Sequence, residues 1–466
     1  MALFGCRHSG RKAYPMKMHH NPVLMLVAFL SLGSMGAAAR EPLTLRQAVD
    51  RALGQSPEGA MARAGSDEAR AGAALARTLL LPQISFTEDI SRGNDPVYAF
   101  GTRLRQRRFT AADFDLNSLN RPSPIGDFAS RLSGSWMAFD SLRTQHEIRR
   151  ADLFKQSAAS AARAADQQIV MRVVESYQAA LYAEREVDVA QQEQQTAAAL
   201  LASVDDHVKA GLAVESDRMS ALVNVAARRQ ELIAAQGDLE LAWAQLREAI
   251  GAPDLQPSTL KPIEPHAFPD RPLELDVATA LKTRPDLTSL GQARSAQTQA
   301  TAAARAAFGP HVAAYGNWEE DRNSPGASGG NNWVAGVQIG IDILPFTHRA
   351  ALARETAAQQ RLSAQHAAAE ARIRLEVSQA QIHRRTAALS IETARAATEQ
   401  AQESLRILKN RYSAGLANLT DLLRAEDAGR QSQTNYWHAV YGNVMAYAEL
   451  LFATGTLTPD AAEELQ

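Results

Sequence analysis

The feature that most constrains this chain is an internal duplication of domain size. Leu43-Thr44-Leu45-Arg46-Gln47-Ala48-Val49 is echoed by Leu273-Glu274-Leu275-Asp276-Val277-Ala278-Thr279. Leu80-Leu81-Pro82 is echoed by Phe308-Gly309-Pro310, and Ala210-Gly211-Leu212-Ala213 by Ala414-Gly415-Leu416-Ala417. Leu246…Ile250-Gly251 returns as Leu450-Leu451…Thr454-Gly455. Each pair alone is weak; four in the same order mark two copies of one unit. Copies of about 200 residues are far longer than the roughly 20–50 residues of a solenoid repeat.

Within each copy the apolar period switches. Residues 44–79 are alanine-rich and read as helix, ended by Pro82. Alternation follows. Ile84, Phe86 and Ile90 oppose Ser85, Thr87, Asp89 and Ser91; Leu132, Gly134, Trp136 and Ala138 oppose Arg131, Ser133 and Ser135. In the second copy Trp333, Ala335, Val337, Ile339 and Ile341 oppose Gly336, Gln338, Gly340 and Asp342. Period two with one apolar face predicts two strands per copy. The first pair is joined by a loop, residues 93–130, about twenty residues longer than its counterpart and rich in Pro, Asn, Asp and Arg.

The helical period then returns and persists. From Arg143 to Asp206 there is neither proline nor glycine, and Ile169, Val170, Val173, Val174, Tyr177 and Leu181 form a narrow apolar seam. Sixty-odd residues at 1.5 Å each make a rod of roughly 90–100 Å. It is expected to end near Gly211, with a second helix to Ile250. The second copy predicts helices over 350–411 and 419–453, broken at Gly415, with Tyr436, Val440, Val444 and Leu451 on a seam. The expected organisation is a first strand–helix repeat at 40–252, a Pro-rich linker at 253–272, a second repeat at 273–455 and a tail at 456–466.

Charge and export signals bound the function. Lys and Arg total 49 against 51 Asp and Glu, a net charge of −2, which argues against a nucleic-acid binder. Residues 1–39 read as a secretory signal: Arg7, Arg11, Lys12 and Lys17 precede the apolar Val23–Leu32 stretch, and Ala37-Ala38-Ala39 supplies small residues for cleavage. Removing them takes four basic and no acidic residues, so the net charge becomes −6. The single cysteine, Cys6, goes with them, leaving no disulfide framework. No apolar run after residue 39 reaches about 18 residues, so a transmembrane helix is not expected. Eight histidines remain, from His146 to His438 and including His266, without zinc-ligand spacing. No phosphate loop or Gly-x-Ser-x-Gly elbow is present, and neither a cofactor nor an enzymatic activity is expected.

Four strands cannot close a barrel, and an open edge cannot face lipid. Helices with narrow seams also need partners. Pooling strands and helices from several chains meets both needs. Trp136, Phe139, Tyr315, Trp318, Trp333 and Phe346, in or beside the strands, suit an aromatic girdle at the membrane surfaces.

With these motifs the chain resembles the TolC family of outer-membrane efflux proteins over about residues 43–455. The most specific pieces are the early Leu-Thr-Leu with Ala48-Val49, Leu80-Leu81-Pro82, Arg284-Pro285-Asp286-Leu287, and the run from Arg411-Tyr412 through Gly415-Leu416 to Leu422-Leu423. The resemblance implies a mainly α fold with a small β part. Two tandem repeats would form a long α-helical barrel, and four strands per chain would join a trimeric 12-stranded transmembrane β-barrel. It further implies passive exit through a duct in a tripartite efflux or type I secretion system. The partners would be two further copies of the chain, a periplasmic adaptor, an inner-membrane pump indirectly, and outer-membrane lipid. The alternatives are a periplasmic adaptor, which should instead show one hairpin between β-domains, and a coiled-coil scaffold.

The resemblance also assigns site residues. The turns carrying Gly211-Leu212 and Gly415-Leu416 would form the periplasmic tip where an adaptor docks. Both glycines suit the left-handed position that ends a helix. Asp217 and Asp421 begin the next helices, where they are expected to cap or favour the N-terminus. Asp421 would contribute an acidic ring at a closed entrance, and Tyr412 matches a tyrosine near the gate. Some members carry a second Asp where this chain has Arg424, which is expected to pair with Asp421. Some also place an Arg at the position of Ala417, so a gate-locking salt bridge of that kind is not expected here.

Overall fold

The computed structural model describes residues 42–257, 259–263 and 268–466. The signal-like segment at 1–39, with Cys6, and His266 lie outside the described residues. The duplication appears as a repeated order of elements. The first copy runs α1 (Leu45–Gln55), α2 (Pro57–Thr78), β1 (Gln83–Gly93), α3 (Pro96–Arg105), α4 (Leu116–Asn120), β2 (Ile125–Phe139), α5 (Arg143–Lys209) and α6 (Glu215–Ile250). The second runs α7 (Leu273–Thr283), α8 (Pro285–Ala306), β3 (His311–Arg322), β4 (Gly330–Gly340), α9 (Phe346–Ser413) and α10 (Leu419–Ala453), followed by α11 (Pro459–Glu464).

The helix expected over 44–79 is two helices. Proline disfavours helical backbone at the residue before it, and Ser56 accordingly adopts φ −65°, ψ 139° while its hydroxyl accepts the Gly59 N–H. Arg284, ahead of Pro285, divides α7 from α8 in the same way. The rods α5 and α9 contain 67 and 68 residues, each roughly 100 Å long. Among the described residues no helix is long and apolar enough to cross a membrane.

The long helices pack in pairs, α5 on α6 and α9 on α10, and α5 also meets α10. The seam expected on α5 is buried in the main core, together with Trp243, Leu246 and Ile250 of α6 and Val444 and Leu450 of α10. The linker and tail belong to this core as well. Leu260 and Ile263, Leu457 and Leu465 are buried in it, and Phe268 stacks on Tyr447 with ring centroids 4.1 Å apart. Leu260 also forms a parallel bridge with Leu43.

The four strands form one antiparallel sheet in the order β1-β2-β3-β4, so β1 and β4 are both edges. Register places Phe86, Leu132, Trp318 and Trp333 in one row and aligns Trp136 with Ala314 and Val337 on the same face. That face is apolar and exposed. The other carries Ser85, Thr87, Arg131, Ser133, Asn317 and Glu319. Tyr315 pairs with Ser135 and Gly336 and so stands on the polar face, apart from the other girdle candidates. A bulge between Met137 and Phe139 pairs Phe139 with Val312. The extra residue restores Phe139 to the apolar face, where strict alternation would have turned it away. Phe346 is the exposed first residue of α9 rather than part of a strand.

The long loop is not irregular throughout. It contains α3 and α4, and β2 already begins at Ile125. The end of α3 crosses the polar face, where Gln106 Nε2 donates to Gly126 O (2.9 Å) and Asp127 Oδ1 (3.0 Å). Arg105 lies within 3.6–3.7 Å of Asp127, Glu319 and Asp321, one on β2 and two on β3.

Candidate functional site at the helical tip

The two Ala-Gly-Leu-Ala segments fold alike. Gly211 has φ +73° and Gly415 φ +71°. The Leu212 N–H donates to His207 O at 2.8 Å and the Gly211 N–H to Val208 O at 3.0 Å; Leu416 and Gly415 bond in the same way to Arg411 and Tyr412. This double bond pattern is the Schellman motif, which satisfies the last carbonyls of a helix and reverses the chain. Leu212 and Leu416 project into solvent, 77% and 69% exposed.

The aspartates do not cap. Asn418 takes that position in α10, its Oδ1 accepting the Asp421 N–H at 2.8 Å, while α6 starts from Val214 with no side-chain cap. Asp217 and Asp421 sit in the first turn of their helices, where the positive end of the helix dipole favours them. The expected Asp421–Arg424 pair does not form, and Arg424 is exposed. An exposed pair three residues apart is worth only about 0.2–0.5 kcal/mol, little against the freedom of an arginine side chain.

Tyr412 joins the two turns. Its ring lies 5.5 Å from that of His207 on α5. Its buried hydroxyl has no hydrogen-bond partner among the described residues. Burial first, and the nearby Asp217 charge second, push its ionisation above the usual phenol value. Beneath lie Leu200, Val204, Ala221, Leu419 and Leu422, a small core that draws on all four long helices together with the flanking Leu405 and Leu408.

A layer of charge lies next to this core. Arg228 is 8% exposed and pairs with Glu231 on its own helix at 2.7 Å and with Asp427 on α10. Glu426, 6% exposed, is pushed up to about 7 by burial and then by Glu193, against the pull of Lys409 and Arg228. Burial likewise raises Glu193 of α5. Arg228 stands seven residues after Ala221, and Glu426 continues the seam of Leu419, Leu422 and Gly429. A charged residue on an apolar seam was the available sequence signal for this layer. Among the described residues no group of three His, Cys, Asp or Glu side chains is placed to hold a metal ion.

The model of the family described as outer membrane efflux protein matches residues 48–252 and 277–456. The chain belongs to that family. The alkaline protease secretion protein AprF of Pseudomonas aeruginosa is 23% identical over 396 residues, spanning 82% of this chain and 78% of AprF. The fold is that of solved outer-membrane channel structures. CusC superposes with a TM-score of 0.76 at 18% identity, over 88% of this chain and 92% of its own. The Neisseria gonorrhoeae MtrE channel in its open state gives 0.73 at 20% identity, over 89% and 91%. The Campylobacter jejuni CmeC channel gives 0.73 at 18%, over 88% and 85%.

Within this family member the tip brings Tyr412 and Asp217 together across the two hairpins. Asp421 and Arg424 remain separate from each other. Trp136, Trp318 and Trp333 share one sheet face, and Trp136 Nε1 donates to Leu80 O at 2.9 Å, tying β2 to the end of the preceding helical segment.

Proposed function

We propose that this chain is an outer-membrane channel-tunnel subunit that gives passive exit to the substrates of a tripartite efflux or type I secretion system. The observation that carries the reading is the sheet: four strands, two unpaired edges and one continuous exposed apolar face. Three copies would close twelve strands into a barrel with Trp136, Trp318 and Trp333 toward lipid and Arg131, Glu319 and Tyr315 toward the lumen. The repeats at 40–252 and 273–455, joined by 253–272, would each give two strands and one helical hairpin to the assembly, and the hairpins would continue the duct into the periplasm. Family and fold are those of channel proteins rather than of enzymes.

In this reading the exposed Leu212 and Leu416 on their glycine turns offer a periplasmic adaptor its contact, and the inner-membrane pump acts through that adaptor. Asp217, Tyr412 and Asp421 surround the entrance, with Arg424 moderating the acidic charge. The name of AprF supports secretion of a protein, and the channel structures support efflux equally well.

Outer-membrane fractionation with heat-dependent migration and cross-linking tests the reading. A cross-linked trimer that migrates differently unheated and heated is expected. A monomer released with the periplasmic extract would overturn it.

A further inference from the structure

The apolar sheet face ends in charge. Beyond the row of Phe86, Leu132, Trp318 and Trp333, the same face carries Glu88 opposite Ser130, then Ile90 opposite Phe128, then Arg92 opposite Gly126. Phe86 and Ile90 are about 13 Å apart along the strand at 3.3 Å per residue. Here a pocket of about 810 Å³ opens between β1, β2 and the long loop, lined by Ile90 and Phe128 together with Arg92, Arg103 and Arg108. Ile90 is 68% exposed.

The three arginines are unequally engaged. Arg103 pairs with Asp113, which also accepts the Thr110 N–H at 2.7 Å and hydroxyl at 2.9 Å. Among the described residues Arg92 and Arg108 have no carboxylate within 4.0 Å. With Asp113 neutralised by Arg103, two guanidinium charges remain open beside the exposed Ile90 and the half-buried Phe128. Arginine presents a planar fork of donors that matches phosphate oxygens two at a time. An apolar floor under such forks suits an anion carried on hydrocarbon more than a free anion.

We propose that Arg92 and Arg108 bind the phosphate groups of a phosphorylated glycolipid of the outer leaflet, whose apolar part rests on Ile90 and Phe128. The site rests on the channel reading above, which directs this end of the sheet outward because the opposite strand ends feed the long helices.

The test is quantification, by mass spectrometry, of phosphorylated lipid A retained by the full-length protein purified from outer membranes, and titration of the delipidated protein with added lipid A. Arg92→Gln with Arg108→Gln should lower both retention and affinity at least tenfold while leaving the oligomer and its conductance intact. Arg92→Lys with Arg108→Lys should keep part of the affinity. Dephosphorylated lipid A binding as tightly as the phosphorylated form would overturn the proposal, as would equal retention by the glutamine variant. Competition by inorganic phosphate at equal concentration would also overturn it, showing a site for the free anion. Wild-type protein absent from the outer membrane would overturn the channel reading itself. Correct membrane placement with unchanged lipid overturns only this site.

Discussion

The Arg228 guanidinium of α6 is paired with the Asp427 carboxylate of α10, an ion pair that joins the first helical hairpin to the second. The two partners are unequal: the arginine side chain is 9% exposed and the aspartate 55%. Arg228→Ala would remove a cation whose charge acts on both Glu426 and Glu193. We expect a loss of about 1.5–3 kcal/mol, as for losing hydrogen bonds to a charged group, and faster proteolysis between residues 205 and 220. Asp427→Ala should cost under about 1 kcal/mol, as for an exposed partner, because Arg228 keeps Glu231. Thermal melts and timed digestion of both variants check the asymmetry.

Glu426 gives the tip a dependence on pH. The folded state holds its proton up to about 7, whereas an ordinary glutamate releases it near 4.5. Between those values the folded protein binds more protons than the unfolded chain, so stability falls as pH rises. At about 1.4 kcal/mol per pKa unit the span is on the order of 3 kcal/mol. Protection factors for hydrogen exchange in the α9–α10 turn, taken relative to the base-catalysed exchange of free amides, should therefore fall from pH 5 to pH 8. Glu426→Gln should flatten that profile, and an equally steep profile in the variant would refute the assignment.

The left-handed glycines separate into two kinds. A Cβ on Gly211 or Gly415 would meet nothing within 4 Å, whereas one on Gly455, φ +72°, would lie 2.8 Å from the Arg284 Cα. Asparagine tolerates the left-handed region, so Gly211→Asn and Gly415→Asn should fold and export nearly normally. Gly211→Val should cost at least about 1–2 kcal/mol from backbone strain alone and reduce export. Gly455→Asn should be far more damaging than Gly211→Asn, because contact with the backbone of Arg284 is added. Melting temperatures and drug resistance in a complemented deletion strain measure the difference.

Arg424 and Asp421 stand unpaired at the start of α10, so each should act on permeating ions independently. In planar bilayers Asp421→Ala is expected to lower cation selectivity and sensitivity to divalent cations, and Arg424→Ala to raise cation selectivity. Unchanged selectivity in Asp421→Ala would remove the acidic ring.

Tyr177 anchors the linker. Its hydroxyl lies 2.7 Å from Leu43 O and 3.0 Å from Lys261 O, and accepts from Gln466 Nε2 at 3.0 Å. Tyr177→Phe should cost about 1–3 kcal/mol for the buried groups left unsatisfied, read by calorimetry, with conductance unchanged.

Elements with long, uninterrupted periods were legible in the sequence. The seam of Ile169 to Leu181 and the alternation of Trp333 to Ile341 each repeat one geometric rule many times, and Gly211 and Gly415 occupy positions that disfavour other residues. Isolated contacts were not legible. Leu260, Ile263 and Leu457 are single apolar residues in segments without a period, so nothing local shows that they are buried. Phe139 changes face through one extra residue at a bulge, which alternation counting cannot detect. At the tip, the choice of Asn418 over Asp421 as the cap depends on where the helix begins, and that boundary is set by the Schellman turn before it. The charged layer around Arg228 is legible only as single charges on apolar seams, because its members come from four helices, each contributing one or two residues.

The sheet with both edges open has a consequence for the life of the chain before it assembles. In the single chain, β1 and β4 each present a row of unsatisfied donors and acceptors beside a bare apolar surface. The newly made subunit therefore carries two adhesive ends, and any extended peptide it meets can add a strand to either. In the proposed channel, supply of subunits would have to match the rate at which they find one another and lipid, and a surplus copy would be a hazard to the envelope that the finished assembly is not.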